Sequence, residues 1–438
     1  MNLKLYLGKL EDLIRRKSIL KFLAKFLSKF FFLKKKISNF FLNIYEFSTR
    51  KNYLYSYPSA ISLNTTNLCN YRCSFCEIHY FYNFAKETSN KVFSNHLDIN
   101  FIKKFENLFD KAYSVEMSGA AGEPFANPNF LKIIKNLKER RLMLAVTTNG
   151  SFLDKSTAKK LIKMRFDHLV VSLHSGEEHN YRELQGGNFN EIIDNLKFLI
   201  QLKKKNSINK PLISINTLIF SLNQHTIITL IKKMKEIGVD EINIVHYYAS
   251  RNKLNHKASF YDNPNKGNKF LKEIYEYAKS LNYKLTPENP SFLDFNIIQN
   301  KGSNSRICKN PWRDIKFKGC VEFENSHYIT ICNRILLFRL DYKEFEGDFI
   351  KDIWNHEIIR YFRKNVMNNP ICYFCQDSKT PRLRCLDNKK YQILRDKFVR
   401  EFFAEALKNI RIKPRKGIYI LDKNPYEYKD YYERLNLN

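Results

Sequence analysis

The sequence predicts an α/β fold built on a partial (β/α)6 barrel, preceded by a basic helical extension and followed by a small cysteine-rich domain. Three observations predict this. Between Ile61 and about residue 250, short apolar runs take turns with longer amphipathic ones. The nine cysteines fall into two groups, three at 69–76 and six at 308–385. The first 51 residues carry 13 basic and 3 acidic side chains.

Apolar runs at Ile61–Leu63, Ser114–Met117, Met143–Thr147, His168–Leu173, Leu212–Ile219 and Glu241–His246 read as strands. Helical patterns at Asn129–Arg140, Lys155–Met164, Phe189–Leu202 and His225–Ile237 lie between them. Strand and helix in alternation imply parallel strands with right-handed crossovers. Six strands make an incomplete, TIM-like barrel, whose active-site residues belong at the C-terminal strand ends. After about residue 290 the alternation is expected to stop, and a helical pattern returns from Lys389 through Ala406.

Lysines at 17, 21, 25 and 29 and phenylalanines at 22, 26 and 30 repeat four apart, which is a helical stripe. Such a helix either docks its apolar face on the barrel or lies, through residues 15–36, in an anionic membrane interface. Tyr57-Pro58 marks a hinge, because the residue before a proline is driven out of the helical region. The expected units are therefore an extension at 1–57, the barrel at 58–290, the cysteine-rich domain at 291–388 and a helical tail at 389–438. No run approaches the roughly 18 apolar residues that a bilayer-spanning helix needs.

Lysine and arginine total 75 against 44 acidic residues, a formal charge of +31. That balance invites anionic partners, but a bias toward Lys, Asn, Ile, Phe and Tyr produces it equally well. The charge and the aromatic excess bring RNA modification into view, although nucleic acid is not the expected partner. An odd cysteine count in tight spacings, with no secretory signal, argues for metal ligation in a reducing cytosol rather than for disulfides. The expected location is cytoplasmic, with peripheral attachment at the inner membrane face if the extension binds lipid.

Directly after the first strand the chain reads Leu63-Asn-Thr-Thr-Asn-Leu-Cys69-Asn-Tyr-Arg-Cys73-Ser-Phe-Cys76. Three thiolates on one loop can hold three irons of a 4Fe-4S cube and leave the fourth open. The alternative is a structural zinc site completed by His79.

The CxxxCxxC spacing of Cys69, Cys73 and Cys76, with Phe75 before the last cysteine, resembles the radical S-adenosylmethionine (radical SAM) superfamily. The resemblance implies that the open iron binds S-adenosylmethionine and that an electron, from a reduced flavodoxin or ferredoxin-type donor, cleaves it to a 5'-deoxyadenosyl radical. It continues at Gly122-Glu123-Pro124, which is similar to the family's GGEP element at the cofactor's amino group. Thr148 and Asn149 end the third strand and Ser172 the fourth, where the family places polar contacts to the cofactor. Asn216 on the fifth strand belongs to the same mouth, as does His246 by position. The family's carboxylate-binding arginine is replaced by Leu184-Gln185-Gly186-Gly187, which leaves Arg182 as the substitute.

In the second group, Cys308-Lys-Asn-Pro311-Trp312, Ile353-Trp354-Asn355, Arg363 and Cys372-Tyr-Phe-Cys375 resemble the SPASM type of extension. This implies an auxiliary 4Fe-4S cluster on Cys308, Cys332, Cys372 and Cys375, with Cys320 and Cys385 as replacement ligands or the remnant of a second cluster. A zinc ribbon is the structural alternative. The implied activity is hydrogen abstraction from a small molecule, with a sugar or lipid-linked glycan ahead of a peptide or protein. RNA modification and a non-catalytic iron-sulfur protein are the remaining alternatives.

Overall fold

The computed structural model describes residues 35–76, 95–118, 122–247, 258–260, 263–288, 308–320, 323–332, 335–366 and 388–421. The lysine and phenylalanine stripe at 17–30 lies outside these residues, as do Cys372, Cys375, Cys385 and His79. Helix α1 (Lys35–Ser48) turns Asn39, Phe40, Asn43 and Ile44 inward. The strands that follow are β1 (Ala60–Leu63), β2 (Ser114–Met117), β3 (Met143–Thr148), β4 (His168–Ser172), β5 (Leu212–Ile219) and β6 (Glu241–His246). All six expected strands are present, and they pair in parallel in chain order.

The crossovers are α2 (Ile99–Lys104), α3 (Glu106–Lys111), α4 (Phe130–Glu139), α5 (Lys155–Lys163), α6 (Glu178–Gln185), α7 (Phe189–Lys205) and α8 (Ile227–Ile237). After β6 comes α9 (Pro264–Ser280). Helices start where the sequence supplies an acceptor for an orphan N–H. Asp98, Asp154, Asn188 and Asn263 cap α2, α5, α7 and α9 in this way. Gly186 and Gly238 end α6 and α8 at φ of +72° and +92°, a left-handed conformation that costs glycine nothing. The apolar faces of these helices cover the outer side of the sheet, where Ile61, Leu63, Val115, Leu144, Val146, Leu169 and Val171 are buried. The other side carries half-buried or exposed Ser62, Glu116, Thr147, Ser172, Asn216 and Asn243 beside half-buried Ala145, Val170, Leu218 and Val245, so the barrel's inner wall mixes polar and apolar groups.

The sheet does not stop at residue 290. Beyond β7 (Leu285–Thr286), which pairs with β6, strand β8 (Asp314–Gly319) joins the opposite edge, parallel to β1. From there β9 (Ser326–Thr330), β10 (Phe338–Asp341) and β11 (Ile418–Ile420) continue antiparallel, giving one sheet in the order β11-β10-β9-β8-β1-β2-β3-β4-β5-β6-β7. The reason is a two-residue period in Asp314–Gly319. Ile315 and Phe317 are fully buried on the helix side, with Phe317 edge-on to Phe101 at 5.2 Å, while Lys316 and Lys318 take the opposite face.

The expected hinge at Tyr57-Pro58 is a clamped segment. Trp312 Nε1, in the short helix α10 (Asn310–Arg313), donates to the Lys51 carbonyl at 2.7 Å. After the helical turn Phe349–Trp354, Asn355 accepts from Leu54 N at 2.8 Å and donates to the Leu54 carbonyl at 2.6 Å. Arg363, buried in α11 (Glu357–Asn365), donates to the Pro311 carbonyl at 2.8 Å and to the Asn52 carbonyl at 3.3 Å. Its guanidinium also lies 4.2 Å from the Trp354 ring. From the other side, Glu46 of α1 accepts from Tyr55 N, Ser56 N and Ser56 Oγ, and Asn43 donates to Ser56 Oγ and the Trp312 carbonyl. The described part of the extension is therefore docked on the barrel. The tail helix α12 (Asn388–Asn409) adds Val399, Phe402, Phe403 and Ala406 to the core. Among the described residues, no helix is long and apolar enough to cross a membrane.

Two predictions follow from these contacts. Asn355→Ala leaves the Leu54 backbone and part of the Arg363 guanidinium without partners. The expected cost is about 3 kcal/mol, read as a lower urea midpoint and as faster tryptic cleavage at Arg50 and Lys51. The second concerns pH. Burial holds His327 down at about 4 and His174 at about 3, so both are neutral in the fold. The unfolded chain takes up these protons near pH 6.5, and stability is lost as pH falls from there toward 4. His327→Gln, which keeps a donor for the Asn64 carbonyl, should flatten the fall in urea midpoint between pH 7 and 4.5.

Candidate active site

The cysteine loop begins where β1 ends, and its backbone is fastened before the first thiol. Thr65 and Leu97 carbonyls both accept from Asn127 Nδ2 at 2.8 Å. Asn67 accepts from Asn95 N at 3.0 Å and donates to the Cys320 carbonyl at 3.3 Å, which ties the exits of β1 and β8 together. The Leu68 carbonyl accepts from Glu123 N at 2.7 Å. At Gly122 a Cβ would stand 2.6 Å from the Thr66 and Leu68 carbonyl oxygens, so only glycine lets the exit of β2 approach this closely.

Past the first thiol the anchoring comes from β3 and α6. Asn70 accepts from Asn149 Nδ2 at 2.8 Å and donates to Ser151 Oγ at 2.9 Å. Ser74 N donates to the Leu184 carbonyl at 2.9 Å, and Cys73 Sγ lies 3.6 Å from the Gln185 carbonyl oxygen. Gln185 in turn joins the exit of β4, accepting from His174 N and donating to the Ser172 carbonyl. Phe75 meets His174 edge-on at 4.8 Å and Phe220 at 5.9 Å. Gly187 leaves room for the Tyr71 ring, which a Cβ would meet at 2.3 Å.

Glu123 is buried, with a role internal to the protein. Its carboxylate accepts from Thr148 Oγ1 at 2.6 Å, Asn149 N at 2.7 Å and Phe125 N at 3.2 Å. Burial pushes its carboxyl up to about 7, and those hydrogen bonds oppose the rise. Thus Gly122, Glu123, Pro124, Thr148 and Asn149 meet beneath the cysteine loop. Asn216 accepts from Asn243 Nδ2 at 2.7 Å on the inner wall, and Ser172 is its neighbour in register. Arg182 stands apart. It lies on α6 rather than in a loop, its side chain is 70% exposed, and it pairs with Glu178 at 2.7 Å beside a groove of about 530 Å³ on the loop's outer side.

Sequence reading missed Asn70, Ser151, Gln185 and Asn243, the side chains that brace this mouth. Asn243 carried a signal, since it occupies an inward position of the sixth strand. Gln185 carried none without the helix on which it sits.

The donor set suits an iron-sulfur cluster. Burial raises the Cys69 and Cys73 thiols, and for Cys73 the charges of Cys76 and Cys69 add to the rise. Like charges on neighbouring thiolates repel, and a shared multivalent cation reverses that repulsion, although among the described residues no three His, Cys, Asp or Glu side chains converge on one metal position. Among the second group, Cys320 is fully buried beside Tyr328, Cys332 is buried at the end of β9, and Cys308 is half-buried before α10.

The site is a three-cysteine loop at the C-terminal mouth of a parallel barrel. Residues 63–234 match the family model described as the Radical SAM superfamily. A probable GTP 3',8-cyclase of Saccharolobus islandicus is 26% identical over 227 residues, 51% of this chain and 66% of that protein. One from Thermococcus kodakarensis is 31% identical over 126 residues, 29% of this chain and 38% of its own. The chain thus spans just under two thirds of the length of the first of these relatives. The crystal structure of Streptococcus suis SuiB bound to S-adenosylmethionine aligns at a TM-score of 0.49 and 16% identity, covering 74% of this chain and 69% of that one. Residues 63–234 thus carry a radical SAM domain, the mark of an enzyme family that uses a 4Fe-4S cluster and S-adenosylmethionine.

Gly122→Ala should push the cysteine loop off the exit of β2. Iron bound per chain after oxygen-free reconstitution is expected to fall by more than half, with the far-UV circular dichroism unchanged.

Proposed function

We propose that Cys69, Cys73 and Cys76 hold the cluster and that the chain turns its chemistry on a small polar substrate inside the barrel. The bound cluster and S-adenosylmethionine together supply a 5'-deoxyadenosyl radical that removes hydrogen from unactivated carbon. The observation that carries this reading is the anchoring of the cysteine loop to the exits of β2 and β3 and, through α6, of β4. A loop free to move would not hold three sulfurs in one geometry.

The protein's part is to orient and to exclude water. Glu123 organises the exit of β3 through Thr148 and Asn149. Phe75 and Phe220 form an apolar wall beside the neutral His174. Ser172, Asn216 and Asn243 offer hydroxyl and amide groups to a hydroxyl-rich substrate, which favours a sugar or sugar-linked molecule over an apolar one. The names of the curated relatives give them GTP as substrate, which adds nucleotides to the set. The electron comes from a reduced flavodoxin or ferredoxin-type donor. Cys308, Cys332, Cys372 and Cys375 hold an auxiliary 4Fe-4S cluster, with Cys320 and Cys385 as further candidates.

Reduced, oxygen-free protein should form 5'-deoxyadenosine over several turnovers, and replacing Cys69, Cys73 or Cys76 by alanine should lower the yield to that of the protein-free control. Deuterium moving from a labelled sugar or nucleotide, and not from a peptide, into 5'-deoxyadenosine supports the substrate class. Single-equivalent cleavage that none of these compounds stimulates counts against it. About eight irons per chain supports the auxiliary cluster, whereas four irons with one zinc replaces it.

A further inference from the structure

Charged groups drawn into this fold are matched by partners. Asp167 is held by Lys138 and Lys210, Glu241 by Lys284, and Arg415 by Asp352 and Glu357. Lys316 and Lys318 break the pattern. The register places Lys316, Ser62, Glu116 and Ala145 side by side in one row across β8, β1, β2 and β3. Lys318 lies two residues closer to the C-terminal strand ends, on the same face and beside Tyr328 of β9. Both ammonium groups therefore stand on the inner wall, on the strand next to the one that delivers the cysteine loop. Among the described residues neither makes a hydrogen bond or a salt bridge, and Glu116 is the one carboxylate whose charge reaches Lys318. Burial, and then the charge of Lys316, bring the Lys318 ammonium down to about 8.

We infer that Lys316 and Lys318 form an anion-recognition site on the inner wall of the barrel and that the substrate presents a phosphate to it. This rests on the reading above that the barrel binds the substrate. Two ammonium groups on one strand face are rooted about 7 Å apart, a spacing that a phosphate or pyrophosphate bridges through separate oxygens. Lysine acts as a point charge and lacks the planar fork that suits a carboxylate. A phosphate ester also brings nearly two negative charges, enough to relieve the repulsion between the two lysines. Ser62 and Glu116, next along the row, can then take hydroxyl groups of the same molecule.

The test uses inorganic pyrophosphate as the probe on the full-length, cluster-loaded protein at constant ionic strength. Limited amine acetylation, quantified on peptides, should show Lys316 and Lys318 protected by pyrophosphate at least threefold. Lys159 and Lys160, exposed on α5, should be unaffected. By calorimetry, K316Q/K318Q should weaken pyrophosphate binding by about tenfold or more. K159Q/K160Q, which removes the same two charges from the surface, should not, and Lys316→Arg with Lys318→Arg should retain binding. Equal protection at all four lysines, no protection, or equal weakening by the two glutamine pairs would overturn the site. S-adenosylmethionine cleavage by the unaltered protein without substrate is measured alongside. If the unaltered protein fails to cleave, the proposed reaction falls, while the protection pattern still decides the anion site.

Discussion

The pairing of β1 on both edges is the constraint from which the rest of the structure follows. With β2 on one side and β8 on the other, Ala60–Leu63 is an interior strand, and its exit can only run upward into the mouth of the barrel. The cysteine loop inherits its position from that exit. Its carbonyls at Thr65, Thr66 and Leu68 then accept or closely face groups delivered by the loops after β2 and before α2. The same pairing brings the exit of β8 beside it, so the Cys320 carbonyl is bonded to Asn67 two residues before the first thiol. One strand thus sets the position of the cysteine loop and of the wall beside it.

A second consequence is the way charge is buried. Glu46, Glu123, Asp167 and Arg363 are each surrounded by donors or acceptors that satisfy most of their capacity, which is what makes burial of an ion tolerable in a low dielectric. These groups brace: Glu46 and Arg363 hold the segment between α1 and β1, and Glu123 holds the exit of β3. The inner wall follows the opposite rule. Among the described residues Lys316 and Lys318 make no hydrogen bond or ion pair there, which is how a binding surface differs from a structural one.

The barrel was legible because its apolar runs have the lengths and periods of strands and helices, and the six strand segments recur at nearly the same residues. The positions of the cysteine loop and of Gly122-Glu123-Pro124 at strand exits were legible because each follows shortly after a strand segment. The helix that carries Arg182, α6, went unread in the sequence. It is short, polar and ended by Gly186, so little hydrophobic periodicity marks it. Strand β8 went unread although Ile315 and Phe317 alternate with Lys316 and Lys318. A six-residue period-two run is a weak signal next to cysteines and a Pro-Trp pair. The bracing by Asn67, Asn70, Gln185 and Asn355 depends on contacts between residues up to 301 positions apart, which no local pattern records.

The clamp at the start of the barrel changes what the second motif group means. Pro311, Trp312, Trp354, Asn355 and Arg363 were read as signs of a cluster domain, yet every one of them acts here on the chain between α1 and β1, on another member of the group, or on both. Their job in the fold is mechanical: they hold the entry to β1 while β8, which follows Trp312 directly, holds its edge. Any cluster bound by Cys308 and Cys332 would then sit where β8 begins and β9 ends, beside the start of β1 and at the opposite end of that strand from the cysteine loop. A change there would reach the cysteine loop through backbone pairing, without a separate domain having to move. The formal charge of +31 looks different in this light. Spread over the surface it follows from composition, but Lys316 and Lys318 are set by register on the wall beside the cysteine loop, and position gives them a meaning that the total does not.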